Sequence, residues 1–161
     1  MTEAYIGLGA NLNSRLANLA KARQMLQQTP KVAVVRTSLI YETAPVGDVA
    51  QGDYLNQVVV VDTQLTPLGL LARLHEIEAA LHRQRIVRWG PRTVDLDLLY
   101  YGQVHQATAE LHLPHPQIPK RRFVLVPLLE VAQGPLAAQV AAMLQATTDH
   151  SAVRLYIANK R

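Results

Sequence analysis

The 161-residue chain has no cysteine, one phenylalanine, one tryptophan and an aromatic content of only 5%. Without cysteine, disulfides, thiol catalysis and thiolate metal ligands are excluded, and this is compatible with the cytoplasm. No apolar run approaches the roughly 18–20 residues that span a bilayer, and the N-terminus lacks the basic-then-apolar pattern of a signal peptide. We therefore expect a cytoplasmic protein without a membrane partner.

The chain has fewer acidic than basic residues, with 12 Asp and Glu and 16 Lys and Arg. Of the 16 basic residues, 12 are arginines. Arginine presents a planar fork of donors that matches phosphate, and it stays charged at any working pH. The basic excess predicts an anionic partner but does not by itself separate a nucleotide from a nucleic acid. The low aromatic content argues against a nucleic-acid-binding module, which would stack bases on exposed rings.

The hydrophobic pattern predicts one domain over residues 1–161 with the order β-α-β-β-α-β and a helical tail. This order is that of the split βαβ, ferredoxin-like α/β fold, in which helices cover one face of a largely antiparallel sheet. The tail is available for the other face. The predicted strands cover residues 4–9, 31–42, 55–62, 94–101 and 153–157, with a strand-like excursion over 103–113. The predicted helices follow Asn13 or Ser14, begin at Thr66-Pro67, and cover residues 127–132 and 136–146 in the tail.

An arginine-rich segment separates the second helix from the strand at residue 94. Arg83, Arg85, Arg88 and Arg92 fall within ten residues that contain no acid. Such like charges repel one another and favour a counter-anion such as a triphosphate, although a solvated basic loop is the alternative. Trp89 lies among them, either as a core anchor that pins the loop or as a lid residue that packs on bound ligands.

Two carboxylates follow directly in the next predicted strand. Asp95 and Asp97 share one face of that strand because side chains at i and i+2 point the same way. Two adjacent like charges are unfavourable unless a cation bridges them, and Mg²⁺ typically takes one or two carboxylates together with substrate phosphates. A solvent-facing pair on an edge strand is the alternative. With the arginines before them, the two acids predict a site for Mg-ATP and phosphoryl transfer.

Other side chains suit a flat heterocycle or a nucleotide. Tyr54 and Asn56 share a strand face, so a ring for stacking lies beside an amide for hydrogen bonds, and Phe123 is a candidate for the opposite stacking face. Ordinary strand packing and a turn asparagine are the alternatives. His115, between two prolines, is either a phosphate donor or a solvated turn residue. Glu78 lies on the apolar stripe of its helix, which predicts a buried partner such as an arginine or a ribose hydroxyl, or else an ordinary helix-end carboxylate.

Residues 88–99, with the sequence RWGPRTVDLDLL, resemble the signature of the 6-hydroxymethyl-7,8-dihydropterin pyrophosphokinases of folate biosynthesis. Four further stretches resemble the family in the same order: residues 5–12, 41–47, 53–56, and 114–116 continuing to 121–123. The resemblance implies a ferredoxin-like fold, a monomer, and transfer of diphosphate from ATP to the hydroxymethyl group of the dihydropterin, with AMP released. Another Mg-dependent transferase that uses a nucleotide is the alternative, and it would release pyrophosphate.

The resemblance also implies roles for individual residues. Two Mg²⁺ ions that arrive with ATP are expected on Asp95 and Asp97. The residues expected to bind the pterin are Thr43, Ala44, Val46, Tyr54, Asn56, Trp89, Asp95 and Phe123. The residues expected to bind the nucleotide are Glu78, Arg85, Arg88, Trp89, Arg92, Leu98, His115 and Arg121. The residues expected to act in catalysis are Arg83, Arg85, Arg92, Asp95 and Asp97.

The chain departs from the family pattern at three positions. Ala44 stands where members often have proline, so the pterin loop is expected to be less stiff. Glu110 and His112 stand where a basic residue and a threonine can help to bind the nucleotide, and those two contacts are not carried over.

Overall fold

The computed structural model describes residues 1–11, 14–44, 53–82 and 94–156. A 3-10 turn over Ile118–Lys120 precedes the third helix. In chain order the strands and helices are β1 (Thr2–Ala10), α1 (Arg15–Gln27), β2 (Val32–Thr37), β3 (Tyr41–Thr43), β4 (Tyr54–Thr63), α2 (Pro67–His82), β5 (Asp95–Tyr101), β6 (Gln106–Ala107), β7 (His112–Leu113), α3 (Arg122–Val131), α4 (Gly134–Ala146) and β8 (Val153–Leu155).

The main sheet has the strand order β5-β1-β4-β3-β8, and β2 also pairs with β4. Strand β1 lies between β4 and β5 and runs antiparallel to both. Strands β2 and β3 both run antiparallel to β4, and β8 extends the sheet beyond β3. This arrangement confirms the predicted ferredoxin-like α/β fold, with one extra strand supplied by the tail.

Helices cover both faces of the sheet because its central strands are apolar on both sides. Strand β4 carries four consecutive valines, Val58 to Val61, each 0 or 1% exposed. Helices α1 and α2 bury Leu19, Leu26 and Leu74 against one face. Helices α3 and α4 of the tail cover the other face. The sheet is therefore a buried layer, and ligands can reach it only where a helix does not cover it.

The prediction of one long strand over residues 31–42 is wrong. The strand is interrupted from Ser38 onward, between β2 and β3. The Ser38 amide donates to the Val58 carbonyl at 2.8 Å, and the Ser38 hydroxyl accepts from the Val58 amide at 2.9 Å. Gln57 Nε2 donates to the Ser38 carbonyl at 2.7 Å. Side chains thus replace two of the backbone ladder bonds at this point, and the strand divides into β2 and β3.

Helix ends also differ from the predictions. Helix α3 begins at Arg122 rather than at residue 127, so Pro127 lies inside it. Ser14 occupies the N-cap position of α1, but its side chain makes no capping hydrogen bond. Thr66 does cap α2, since its hydroxyl accepts from the Gly69 amide at 3.0 Å. None of the helices within the described residues is both long and apolar enough to cross a membrane.

Candidate active site

The floor of the site is formed by neighbouring strands of the sheet. Asp95 and Asp97 are partly exposed on β5, whereas Leu96 between them and Leu98 after them are buried. The two carboxylates therefore share one face, as the alternation along a strand predicts. The adjacent strand β1 places Gly9 opposite Asp95.

Glycine keeps this floor open. A Cβ atom at Gly9 would lie 3.4 Å from the Asn56 amide oxygen and 3.9 Å from Cδ1 of Tyr54. Gly7 lies opposite Asp97 on the same strand. Because neither glycine carries a side chain, the space above β1 stays free between the two carboxylates of β5 and the polar side chains of β4.

A large cavity of about 700 Å³ lies above this floor. The predicted pterin-binding residues that the structure describes all line it: Thr43, Ala44, Tyr54, Asn56, Asp95 and Phe123. Burial, and then the charge of Asp95, raise the pKa of the Tyr54 phenol, so the hydroxyl stays neutral at physiological pH. The cavity thus combines two aromatic rings with neutral and charged polar groups, which suits a flat polar heterocycle.

A buried hydrogen bond fixes the amide in this cavity. Asn56 Nδ2 donates to the Thr43 hydroxyl at 2.7 Å. The two residues are 6% and 4% exposed. Because this bond assigns the nitrogen, the amide oxygen is the atom that lies toward Gly9 at the cavity floor. A ligand on the floor therefore meets an acceptor with a fixed direction.

A smaller cavity of about 300 Å³ lies between α2, β5 and the β6–β7 hairpin, and Glu78 and Leu98 line it. Glu78 Oε2 accepts from the buried amide of Leu96 at 2.9 Å. The buried partner that was predicted for Glu78 is thus a backbone amide. This bond joins α2 to β5 between the two aspartates.

Asp97 and His115 line both cavities and so mark the place where the two meet. The amide of His115 donates to the Leu99 carbonyl at 2.9 Å, so the turn lies against β5. His115 Nδ1 accepts from the Gln117 amide at 3.2 Å, so the proton of the neutral ring lies on Nε2. Burial is the main cause of the lowered pKa of His115; Arg121 and His112 lower it further, and Asp97 opposes them. His115 is therefore a neutral donor at pH 7.

Basic residues border the large cavity next to Phe123. Lys120 and Arg121 both line it. The Arg121 guanidinium carbon lies 5.8 Å from the centre of the Phe123 ring. The family resemblance implies that Arg121 binds the nucleotide. The structure places Arg121 beside Phe123, on the surface of the large cavity.

A metal ion would need ligands beyond the protein at this site. Within the described residues, no three or more His, Asp or Glu side chains are grouped so as to hold a metal ion. Asp95 and Asp97 offer hard oxygen ligands on a cavity surface. They fit Mg²⁺ that takes its other ligands from phosphate and water.

A family model described as 7,8-dihydro-6-hydroxymethylpterin-pyrophosphokinase (HPPK) matches residues 5–133. The chain belongs to this family. Membership confirms the predicted enzyme class and reaction, in which diphosphate passes from ATP to the hydroxymethyl group of a dihydropterin during folate biosynthesis.

Individual HPPK relatives agree with the family match. The 2-amino-4-hydroxy-6-hydroxymethyldihydropteridine pyrophosphokinase of Methylorubrum extorquens is 48% identical over 132 residues, which are 82% of this chain and 84% of that protein. The protein of the same name from Haemophilus influenzae is 38% identical over 158 residues, covering 96% of this chain and 99% of that one.

The fold is also similar to solved HPPK structures. The crystal structure of Plasmodium falciparum HPPK-DHPS wild type with SDX-DHP has a TM-score of 0.64 and 14% identity. The match covers 90% of this chain but only 43% of that one, so this chain spans less than half of that protein's length. At this identity the likeness supports the fold alone.

Several residues expected from the HPPK resemblance lie outside the described residues. These residues are Val46, Arg83, Arg85, Arg88, Trp89 and Arg92.

The large cavity is also lined by residues that the sequence analysis does not identify. Asp149 and Ser151 do so from the tail, beyond the stretch that the HPPK model matches. No local pattern marks them, because they reach the cavity only through the packing of the tail. Gly7 and Gly9 also line the large cavity, and these two residues do carry a signal in the sequence. They are two residues apart, as Asp95 and Asp97 are, so each pair lies on one face of its strand.

Proposed function

We propose that the large cavity binds the dihydropterin, that the small cavity binds the nucleoside part of ATP, and that the phosphates cross between them. The observation that carries this assignment is that Asp97 and His115 border both cavities. A phosphate chain between the two ligands would pass these two side chains. The hydroxymethyl group and the reacting phosphorus would then meet beside β5.

For the pterin, we assign stacking to Tyr54 and Phe123, and hydrogen bonding to the Asn56 amide. The fixed Asn56 oxygen would accept from an N–H group of the heterocycle. Thr43 and Ala44 line the large cavity. The backbone of Val46 is assigned to the pterin from the family resemblance alone. Trp89 is assigned from the same resemblance as the residue that closes over the ligands.

For the nucleotide, we assign Glu78, Leu98 and His115, which line the small cavity. Arg121 would reach the phosphates from the rim of the large cavity. Four arginines of the segment before β5 are assigned to the nucleotide from the family resemblance: Arg83, Arg85, Arg88 and Arg92. Arginine suits this task because its donors match phosphate oxygens in pairs.

We assign two Mg²⁺ ions to Asp95 and Asp97. When bound there with ATP, the ions would supply charge neutralisation on the phosphates. Asp95 lines the large cavity and Asp97 lines both cavities, so the pair would lie between the two substrates. The two carboxylates would hold the Mg-ATP complex above the glycine floor.

In the proposed mechanism, the pterin hydroxyl attacks the β-phosphorus in line with the departing AMP. The bond between the pterin oxygen and the β-phosphorus forms as the bond between the β-phosphorus and the AMP oxygen breaks, and the hydroxyl proton would pass to the Asp97 carboxylate or to solvent. His115 holds its proton on Nε2 and would donate it as a hydrogen bond to a phosphate oxygen. Arg85 and Arg92 would donate more strongly as charge develops on the transferred group.

The substitution Asp97→Ala tests the assignment. It should lower kcat about a hundredfold or more, because a metal ligand contributes several kcal/mol to the transition state. Turnover is measured as AMP release at saturating Mg-ATP and 6-hydroxymethyl-7,8-dihydropterin, with melting followed in parallel. Asp62→Ala is the matched control, since Asp62 is an aspartate of β4 outside both cavities. Wild-type turnover in the Asp97→Ala variant would show that Asp97 does not have the proposed role in catalysis.

Three further expectations remain proposals. The chain is proposed to act as a monomer, to form one domain over residues 1–161, and to work in the cytoplasm without binding nucleic acid or membrane. Analytical ultracentrifugation at micromolar concentration tests the first of these, and a dimer would contradict it.

A further inference from the structure

Asp149 lies at the start of helix α3, although 27 residues separate it from Arg122. Its Oδ2 atom accepts from the Arg122 amide, the first of the helix, at 2.8 Å. Its Oδ1 atom accepts from the Ser151 amide at 3.0 Å and from the Ser151 hydroxyl at 2.7 Å. The Arg122 guanidinium donates back to the Ser151 carbonyl at 3.0 Å. Two residues of the tail thus enclose the first residue of α3.

This arrangement replaces a cap that α3 lacks locally. Arg121 occupies the N-cap position, and its side chain makes no capping hydrogen bond. The first amides of a helix need acceptors, and a negative charge near them is favourable. The hydrogen bond from Ser151, then those from the Arg122 and Ser151 amides, lower the pKa of Asp149, so it is ionised at neutral pH. An ionised carboxylate from the tail therefore takes the place of the missing cap.

The helix turn that Asp149 holds carries Phe123, the residue after Arg122. Phe123 lines the large cavity and packs partly on the core beneath α3. Fraying of the first turn would release this ring before any other residue of α3 that lines the cavity. The position of the ring is thus tied to the hydrogen bonds of Asp149.

The tail then continues to strand β3, whose Thr43 also lines the large cavity. After Ser151 it forms β8, whose Val153 pairs with Thr43 of β3. A short stretch of chain therefore joins the turn that carries Phe123 to the strand that supports Asn56. This stretch lies outside residues 5–133, the part of the chain matched by the family model.

We propose that Asp149 is a positioning residue for the dihydropterin: by capping α3 from the tail, it holds the Phe123 ring in place for stacking. The proposal rests on the function proposed above, because it takes the large cavity as the pterin site. Asp149 acts through Phe123, so its effect should fall on pterin binding and leave nucleotide binding in the small cavity unchanged.

Asp149→Ala and Asp149→Asn test this by calorimetric titration with 6-hydroxymethyl-7,8-dihydropterin in the presence of a non-hydrolysable Mg-ATP analogue. We expect the Kd for the pterin to rise about fivefold in the alanine variant, the factor that one lost helix cap supports. The asparagine variant keeps one acceptor, so its Kd should rise about twofold. The Kd for the nucleotide analogue alone should stay at the wild-type value in both.

A matched variant and a double variant separate positioning from general stability. Thr66→Ala removes the cap of α2, away from the cavity, and should lower Tm by a similar amount without changing the Kd for the pterin. In a Phe123→Ala background, Asp149→Ala should weaken pterin binding no further, because the ring through which it acts is absent.

The outcomes are distinguishable. A wild-type Kd for the pterin in both Asp149 variants, with a lower Tm, would show that the cap only stabilises the fold and would overturn the proposal. Additive effects of the Phe123 and Asp149 substitutions would overturn it as well. Where the alanine variant does not fold, the asparagine variant decides by the same criterion. Failure of the wild-type chain to bind the pterin would instead refute the proposed function.

Discussion

The hydrogen bond between Thr43 and Asn56 offers a sharp test of how the proposed pterin cavity is organised. Asn56 Nδ2 donates to the Thr43 hydroxyl at 2.7 Å, and both residues are less than 10% exposed. Thr43→Val replaces the hydroxyl by a methyl group of similar size. The substitution therefore removes one acceptor and leaves the volume of the side chain almost unchanged.

The expected loss of stability follows from the donor that is left behind. A buried donor without a partner costs about 1–3 kcal/mol. Because Asn56 lines a cavity that water can enter, we expect the lower part of this range, about 1 kcal/mol of unfolding free energy. For a chain of this length, such a loss lowers Tm by about 2–4 °C.

Pterin binding should weaken as well, because the amide is no longer held in one orientation. Without Thr43 as acceptor, the amide can rotate and present either its nitrogen or its oxygen to the cavity floor. We expect the Kd for the pterin to rise about five- to tenfold, which corresponds to about 1–1.4 kcal/mol. Thermal melting and calorimetric titration with the pterin and a Mg-ATP analogue measure the two effects on the same samples.

Thr63→Val is the matched control on the far end of β4. Thr63 is 1% exposed, and its hydroxyl accepts from the Leu65 amide at 3.0 Å. Loss of this hydrogen bond should lower Tm by a similar amount without changing the Kd for the pterin. If Thr43→Val also lowers Tm without changing the Kd, the hydrogen bond serves the fold and not the ligand. In an Asn56→Ala background, Thr43→Val should have no further effect on the Kd; a full additional effect would equally refute the reasoning.

Two further substitutions test other parts of the structure. Gly9→Val would place methyl groups on the cavity floor, since its Cβ would already lie 3.4 Å from the Asn56 oxygen. We expect the Kd for the pterin to rise at least about tenfold with little change in Tm, because valine favours strands; unchanged binding in the titration would show that the pterin does not use this floor. Tyr41 donates to Glu130 at 2.7 Å, and burial, with the hydrogen bond and charge of Glu130, raises its pKa to about 12. The bond needs the neutral phenol, so it contributes fully below the unfolded pKa near 10 and is lost as pH rises through about 12. Tyr41→Phe should therefore cost about 0.5–1 kcal/mol in urea unfolding at pH 8, and the difference from wild type should shrink between pH 10 and 12; a constant difference across that range would contradict the assigned pKa.

Local periodicity accounts for the parts of the site that the sequence predicts well. The pairs Asp95 with Asp97 and Tyr54 with Asn56 share a face because the alternation along a strand depends only on the backbone. The same holds for β4, whose run of valines predicts a strand that is buried on both faces. These features need no knowledge of the tertiary structure.

Features that depend on distant partners were not predictable in this way. The break at Ser38 arises because Gln57 and Val58 of another strand bond to it. The sequence pattern predicts a helix only from Pro127 to Ala132. The true start is at Arg122, where the acceptor for the first amide comes from Asp149. No window of sequence around residue 122 contains that information.

Within the part of the chain that the structure describes, β5 is an edge strand of the main sheet, and this position supports the proposal that one short strand serves two substrates. Strand β5 pairs with β1 on one side, and the small cavity lies along its other side. Leu96 and Leu98 turn into the core formed with α1 and α2, so the remaining face presents Asp95 and Asp97 to the large cavity. The reaction requires that both ligands meet, and in the proposed arrangement they meet beside Asp97 of this strand, which lines both cavities.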